Sequence, residues 1–178
     1  MELWDLYDKN RIPLGKTHKR GEKITEGYHL TVHILLFDES GERLLIQQRA
    51  ACKDTFAGKW DITAAGSVQS GESSSLGAHR ELLEELGIDQ DFEHIRPHFT
   101  MNYRDGFGDY YLIHRDVDLT ALTLQTEEVQ AVRYASCDEI IELIRSGEFI
   151  NYHESLIRFL FDVKNAYSSF STSTTARN

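Results

Sequence analysis

The chain has little cysteine, no long apolar run and a shortage of positive charge. Cys52 and Cys137 are the only cysteines among 178 residues, and they lack the spacing of metal ligands. Such cysteines are typical of free thiols in a reducing cytoplasm. No stretch approaches the roughly 20 apolar residues of a membrane span, and the first ten residues carry charges where a secretion signal is apolar. We therefore expect a cytoplasmic protein with no membrane partner.

Acidic residues exceed basic ones, 29 against 19, which gives a formal net charge of −10. Proteins that bind nucleic-acid polymers usually present a basic patch, so this balance argues against such a partner. It does not exclude a nucleotide held through a metal ion. The length corresponds to one main domain with a substantial core.

The segment 66–88 contains the densest group of acidic side chains with a regular spacing. Glu81, Glu84 and Glu85 stand at positions i, i+3 and i+4, which share one side of an α-helix. Ser73 is a suitable N-cap, and Gly87 stands where a left-handed residue would end the helix. The pattern predicts a helix with an acidic face.

The apolar residues of the same segment predict its buried face. Leu76, Leu82, Leu83 and Leu86 fall on nearly the opposite side of the helical wheel from the carboxylates. We expect all four leucines to be buried.

Clustered carboxylates repel one another, so a compensating charge is expected. Hard oxygen ligands suit Mg²⁺ or Mn²⁺, which typically complete their coordination with water and substrate phosphate. The alternative is a solvated acidic helix face without a metal. The residues around the helix favour the metal site.

The spacing of the fixed residues in this segment resembles the signature of the Nudix hydrolase family. Gly66 is followed after five residues by Glu72, and Glu72 after seven residues by Arg80-Glu81-Leu82. One residue separates this triplet from the pair Glu84-Glu85, and one residue separates that pair from Gly87-Ile88. The resemblance implies an α/β/α sandwich with a mixed sheet, and a Mg²⁺-dependent hydrolase that cleaves a small-molecule diphosphate, such as a nucleoside diphosphate linked to another group.

The resemblance also implies roles for individual residues. Glu81, Glu84, Glu85 and the main-chain carbonyl of Ala65 would hold the metal. Glu72 and Arg80 would form an ion pair that fixes the loop against the helix. Gly66 and Gly87 are the structural glycines at the two ends of the motif. Glu128, and with less support Glu127, is a candidate metal ligand or general base, and the alternative is a solvated turn pair.

Two cations before the motif are candidate phosphate ligands. Arg49 and Lys53 lie where the isopentenyl-diphosphate-isomerase-like branch of the family places cations that contact a diphosphate. A guanidinium suits phosphate oxygens. Simple surface solvation is the alternative.

The remaining pattern predicts three regions. Residues 1–27 form an N-terminal hairpin (2–16) and a polar connection (16–23), residues 28–166 the Nudix domain, and residues 167–178 a disordered tail. The hairpin could cover its own domain, which we favour, or exchange with a second subunit in a homodimer. Strands are expected at 28–38, 43–49, 60–65, 95–103, 110–115 and 130–135, and further helices at 138–145 and 153–165. Three aromatic residues lie in the predicted turn 104–109 or next to it. Tyr103, Phe107 and Tyr110 could stack on a base or belong to the core.

The sequence also bears on two other functions. An isopentenyl-diphosphate isomerase needs a Cys before the first motif glycine, a His after it and a Glu-x-Glu pair. This chain has Ala65, Ser67 and Gly108-Asp109-Tyr110 at these places, so isomerase chemistry is disfavoured. A non-catalytic module that senses nucleotides would usually have lost some of the glutamates, and none is missing here.

Overall fold

Nine strands and three α-helices follow one another in the computed structural model, which describes residues 2–166. The strands are β1 (Leu3–Tyr7), β2 (Pro13–Lys19), β3 (His29–Phe37), β4 (Arg43–Arg49), β5 (Trp60–Asp61), β6 (Ala64–Ser67), β7 (Phe99–Tyr103), β8 (Gly106–His114) and β9 (Val129–Ser136). The helices are α1 (Ser74–Leu86), α2 (Cys137–Ser146) and α3 (Glu154–Val163). Within the described residues, no helix is long and apolar enough to cross a bilayer.

Seven strands form one mixed sheet that divides along β3. One edge of β3 pairs in parallel with β8 over its whole length. On its other edge, residues 31–34 pair with β6, and Phe37 pairs with Leu44 of β4. Strand β4 pairs further with β5 and β9, and β8 pairs with β7. Because β4 and β6 share one edge of β3, the sheet opens between them.

Side chains alternate between the two faces of β3, as the strand period requires. Val32 and Ile34 are fully buried in the cluster that includes α1. Leu35 and Phe37 are fully buried in the cluster that includes α2 and α3. The expected α/β/α sandwich with a mixed sheet is therefore confirmed.

The N-terminal hairpin is present and packs on its own chain. Strands β1 and β2 form a separate two-stranded antiparallel sheet, and Tyr7 exchanges main-chain hydrogen bonds with Tyr28. The prediction of a polar connection from residue 16 is wrong, because β2 continues to Lys19. Within this chain the hairpin lies against the main domain, and its exchange with a second subunit stays a prediction.

Two boundaries in the sheet differ from the prediction. The single strand expected at 60–65 is two short strands, β5 and β6, and Gly66 lies within β6. The turn expected at 104–109 involves only Arg104 and Asp105, because the parallel pairing with β3 begins at Gly106. Phe107 is consequently a core residue, 7 % exposed, on the α1 face.

Helix ends were predicted well, but the buried side of α1 was not. Ser73 caps α1 through its side chain, and Gly87 ends it with a left-handed φ of 71°. Leu82 is fully buried as expected, whereas Leu76 and Leu83 are 57 % and 41 % exposed. The sheet covers only one stripe of the helix, and Glu85 occupies part of it. The tail expected at 167–178 lies outside the described residues.

Candidate active site

A cavity of about 250 Å³ lies where the sheet opens between β4 and β6, beside α1. It is lined by Glu2, Arg20, Arg49, Lys53, Ala65, Gly66, Ser67, Gln69, Arg80, Glu81, Glu84, Glu85, Gln125 and Glu128. The residues predicted to bind the metal or the diphosphate are all in this group except Glu127, the less supported alternative to Glu128. Segments distant in the sequence therefore meet at one cavity.

The contact between β6 and α1 depends on Gly66. A Cβ atom added at this residue would overlap the carboxyl group of Glu81. Gly66 pairs with Val32 of β3, so the strand itself is held in place by the sheet. A glycine is needed here because the carboxylate approaches the main chain closely.

Glu85 is the most buried carboxylate of the cavity, at 6 % exposure. Its Oε2 accepts a 2.9 Å hydrogen bond from Nε2 of Gln47 on β4. Burial raises the pKa of Glu85 to about 8, and the nearby Glu81 charge adds to this rise. One hydrogen bond from a neutral amide does not offset the loss of solvation of the anion.

Arg80 connects the loop before α1 with the acidic face of the helix. Its Nε donates to Glu72 at 2.8 Å, and its Nη1 donates to Glu81 at 2.8 Å and to Glu84 at 3.2 Å. Its Nη2 also donates to the carbonyl oxygen of Ser67 at 2.9 Å. Burial alone would lower the pKa of Arg80, but the carboxylates of Glu72 and Glu81 outweigh it and raise the pKa. The ion pair expected between Glu72 and Arg80 is present.

The carboxylates are near one another but not arranged around a common point. Throughout residues 2–166, no group of three or more His, Cys, Asp or Glu side chains is arranged to hold a metal ion. Arg80 draws Glu81 and Glu84 toward itself, while Gln47 holds Glu85. A metal at this place would therefore require the carboxylates to exchange these partners for the cation.

The chemistry of these donors nevertheless fits a divalent cation. Carboxylate oxygens are hard ligands, as Mg²⁺ prefers. Burial raises the pKa of Glu81 as well as that of Glu85, so negative charge is unfavourable here without a compensating cation. A bound cation would remove that penalty, and Glu84, whose side chain is half exposed, lies at the rim.

Two cations, one at the end of β4 and one in the loop after it, line the same cavity as the carboxylates of α1. Lys53 forms an ion pair with Glu128 in which both side chains are mostly buried. Nη1 of Arg49 lies 3.8 Å from Oδ2 of Asp61, and the Arg49 side chain is 17 % exposed. Burial raises the pKa of Asp61 to about 6. Neither predicted cation is simply solvated surface.

Sequence reasoning did not assign Glu2, Arg20, Gln69 or Gln125 to the cavity, nor Gln47 to the contact with Glu85. Glu2 and Arg20 reach the cavity from the N-terminal hairpin, where Nη1 of Arg20 donates to Oε2 of Glu2 at 2.5 Å. The basic run 16–23 suggested a place at the rim of an anionic site, but which of its residues lies there is a tertiary property. Gln47 could have been found, since it stands two residues before Arg49 and strand alternation places both on one face.

The chain is similar to known proteins over most of its length. The family model described as NUDIX domain matches residues 27–156. The chain belongs to the Nudix family. An uncharacterised Nudix hydrolase of Listeria monocytogenes is 46 % identical over 93 % of this chain and 97 % of the relative. The protein is a Nudix hydrolase, and it acts on pyrophosphate bonds.

Two further relatives bear on the fold and on the isomerase alternative. A crystal structure from Deinococcus radiodurans, with 21 % identity, has a TM-score of 0.73 and covers 89 % of this Nudix chain and 98 % of its own. It shows the fold. An isopentenyl-diphosphate Delta-isomerase of Pectobacterium atrosepticum is 31 % identical over 77 % of this chain and 78 % of the relative.

The residues at the isomerase positions make other contacts in this Nudix domain. Asp109 has a fully buried side chain that forms an ion pair with Arg11 of the hairpin. It also accepts hydrogen bonds of 2.6 Å from Thr100 and from Ser74. These partners occupy both oxygens of Asp109, which serves to anchor the hairpin.

Proposed function

We propose that this Nudix hydrolase uses Mg²⁺, with Mn²⁺ as a substitute, to cleave a diphosphate bond in a nucleoside diphosphate derivative or another organic diphosphate. The observation that carries the proposal is a single cavity lined both by the carboxylates of α1 and by the cations Arg49 and Lys53. Glu81, Glu84, Glu85 and the carbonyl of Ala65 would hold the metal. The bound cation would neutralise phosphate oxygens and lower the pKa of a coordinated water.

The protein's own residues have distinct parts in this proposal. Arg49 and Lys53 bind the anionic diphosphate, and a guanidinium can do so with two parallel hydrogen bonds. Gln47 orients Glu85. Glu128 is the candidate general base, which requires it to leave its ion pair with Lys53 as the substrate phosphate takes over that cation. A cytoplasmic location and the homodimer stay predictions.

The experiment is a substrate panel with purified protein. Nucleoside di- and triphosphates, nucleotide sugars and isoprenoid diphosphates are incubated with and without Mg²⁺, and the products are separated by ion-exchange chromatography, because cleavage of a nucleotide sugar gives two phosphomonoesters and no free phosphate. Metal-dependent cleavage of at least one compound is expected. If no compound is cleaved, the proposal fails; tight, metal-independent binding without turnover would instead identify a sensing module.

The isomerase alternative has a direct test in the same preparation. The side chains Ala65 and Ser67 have neither the thiol nor the imidazole that the isomerase resemblance requires. We expect no conversion of isopentenyl diphosphate to dimethylallyl diphosphate. Conversion at a rate above that of a Glu85→Gln variant would overturn this judgement.

A further inference from the structure

A buried carboxylate with no part in the chemistry proposed so far lies next to a residue of the active-site cavity, the cavity lined by the carboxylates of α1. Asp61 on β5 is 4 % exposed. Its Oδ1 accepts a 2.8 Å hydrogen bond from the main-chain N–H of Ile62 and a 3.0 Å hydrogen bond from the hydroxyl of Tyr152. These two donors fix the orientation of the carboxylate and leave Oδ2 for another partner.

The partner of Oδ2 is Arg49, at the end of β4. Nη1 of Arg49 lies 3.8 Å from Oδ2 of Asp61, which is an ion-pair distance and too long for a direct hydrogen bond. Nε of Arg49 donates to the carbonyl oxygen of Thr55 at 3.3 Å. Within residues 2–166, the two terminal nitrogens of Arg49 donate no hydrogen bond to the protein. The guanidinium is therefore held in direction, while the protons of both terminal nitrogens stay available to an anion.

The strand register explains why these two side chains meet. Asp61 lies opposite Gln47 in the antiparallel pairing of β5 with β4, and side chains at opposite positions point to the same face of the sheet. Arg49 follows Gln47 by two residues and therefore shares that face. The pairing thus places a carboxylate beside Arg49 although twelve positions of the chain separate the two residues.

Asp61 carries its charge in an unfavourable environment. Burial raises the pKa of Asp61 to about 6, which still leaves the group mostly ionised at pH 7.5. A buried ion pair adds little to stability, and a neutral group of the same shape often serves the fold as well. Asparagine has that shape and would keep an acceptor oxygen for Ile62 and Tyr152. The fold therefore does not need the charge itself, which points to a role at its partner Arg49.

The other end of β4 offers an instructive contrast. Arg43, its first residue, pairs with Asp38, which is also 4 % exposed. Nε of Arg43 donates directly to Oδ2 of Asp38 at 2.8 Å, and the pair closes the turn between β3 and β4. Neither of these two residues lines the active-site cavity. Asp38 thus engages its arginine in a direct hydrogen bond, whereas Asp61 only orients Arg49.

We propose that Asp61 is a positioning residue of this hydrolase, which holds the guanidinium of Arg49 in the direction in which both terminal nitrogens bind the diphosphate. Tyr152 in turn fixes Asp61. The inference rests on the proposed function, because it requires Arg49 to contact the diphosphate. It adds two residues that act on the substrate only through that arginine.

The test removes the charge of Asp61 and keeps its shape. Asp61→Asn does so, and Tyr152→Phe, which removes only the hydroxyl that fixes Oδ1, keeps the test decisive if Asp61→Asn does not fold. Asp38→Asn is the matched control, since it neutralises an equally buried carboxylate that pairs with an arginine away from the cavity. Arg49→Ala, alone and combined with Asp61→Asn, completes a double-mutant cycle. Thermal melting establishes that each variant is folded.

Two readouts measure binding of the diphosphate. Calorimetry with Mg²⁺ gives Kd for imidodiphosphate, in which nitrogen replaces the bridging oxygen, and kinetics give KM and kcat for each compound that the substrate panel shows to be cleaved. We expect Asp61→Asn to raise Kd and KM about fivefold or more at pH 7.5, the size of an ion-pair contribution, with a much smaller change in kcat. Tyr152→Phe should act in the same direction but less strongly, and Asp38→Asn should leave all three constants unchanged.

The double-mutant cycle separates an effect through Arg49 from an effect at the metal. Burial and the charge of Glu81 raise the pKa of Glu85, and the charge of Asp61 adds to this rise, so the metal side is the competing route. If Asp61 acts through Arg49, Asp61→Asn should have no further effect on Kd or KM once Arg49 is alanine. An equal loss in both backgrounds would overturn the inference and place the effect of Asp61 at the metal.

The remaining results separate this inference from the proposed function. Metal-dependent cleavage with unchanged Kd and KM in Asp61→Asn and Tyr152→Phe, or with the same loss in Asp38→Asn, would overturn the positioning role and leave the hydrolase proposal standing. Imidodiphosphate binding that follows the expected pattern, without cleavage of any compound, would support the positioning role and overturn the proposed function. A wild type that neither binds imidodiphosphate nor cleaves any compound would overturn both.

Discussion

Gln47 donates a 2.9 Å hydrogen bond from β4 to Glu85 on α1, and it is the amide that holds the most buried carboxylate of the active-site cavity. Both residues are buried, at 2 % and 6 % exposure. The sheet and α1 are thereby joined through a group whose ionisation is costly. Such a contact links the stability of the metal-free protein to pH.

The first prediction concerns that linkage. The pKa of Glu85 is about 8 in the folded chain, against an ordinary value of 4.5, so folding is favoured while the group is protonated. The metal-free protein should lose this contribution as pH rises from about 4.5 through about 8. Glu85→Gln, which cannot ionise, should remove this loss and be relatively more stable at pH 9 than the wild type. Chemical denaturation from pH 5 to 9 in EDTA measures the difference.

The same variant tests the assignment of the metal. If Glu85 is a ligand, Glu85→Gln should lose most turnover and bind Mg²⁺ or Mn²⁺ more weakly, which calorimetry can follow independently of activity. Glu84→Gln should act similarly but less severely, because Glu84 lies at the rim. Full turnover by Glu85→Gln at saturating Mg²⁺ would contradict the assignment.

A second prediction compares two adjacent leucines of α1. Leu82 is fully buried and Leu83 is 41 % exposed. Leu82→Ala should cost about 2–5 kcal/mol of unfolding free energy because it leaves a cavity in the core, whereas Leu83→Ala should cost well under that. Denaturant titration of the pair gives both values. Equal losses would show that the buried stripe of α1 is misplaced.

A third prediction concerns binding of the diphosphate by Arg49. If Arg49 contacts the diphosphate common to all substrates, Arg49→Ala should raise KM for each active substrate by a similar factor. Loss of a charge-assisted hydrogen bond typically costs about 1.5–3 kcal/mol. Arg104→Ala, at an exposed turn, is the control. A change confined to one substrate would make Arg49 a specificity contact.

A fourth prediction addresses the arginine that the hairpin contributes. Arg20 lines the active-site cavity and pairs with Glu2, and the charges of Glu128 and Glu81 also act on it. Arg20→Ala should raise KM for diphosphate substrates severalfold with less effect on kcat, and Arg20→Lys should restore part of the loss. Lys19→Ala, one residue earlier, is the matched control. Unchanged KM in Arg20→Ala would restrict Arg20 to a structural role.

A fifth prediction concerns the anchor of the hairpin. Asp109 is fully buried, and Arg11 is the cation that pairs with it. Removing one partner of a buried pair leaves the other charge uncompensated, so Arg11→Ala should cost on the order of 3 kcal/mol. The double variant Arg11→Ala with Asp109→Asn should recover part of that loss. Thermal unfolding of both proteins provides the measurement, and a double variant less stable than Arg11→Ala would argue against the pair.

The sequence alone determined the elements whose information is local. The caps Ser73 and Gly87, the alternation in β3 and β4, and the motif spacing all depend on residues within one or two turns or one strand, so the helices, the main hairpin and the family could be read from it. The division of the strand 60–65 and the early start of β8 could not, because pairing with β3 sets those boundaries. Such pairing is a long-range property.

Only the tertiary structure decided which residues meet. Leu83 looked buried on a helical wheel, but the sheet covers a stripe that includes Glu85, and a wheel does not show where a partner surface lies. Arg20 reaches the active-site cavity because Arg11 and Asp109 hold the hairpin against the domain. These contacts join residues far apart in the chain, and no local pattern encodes a distance between them.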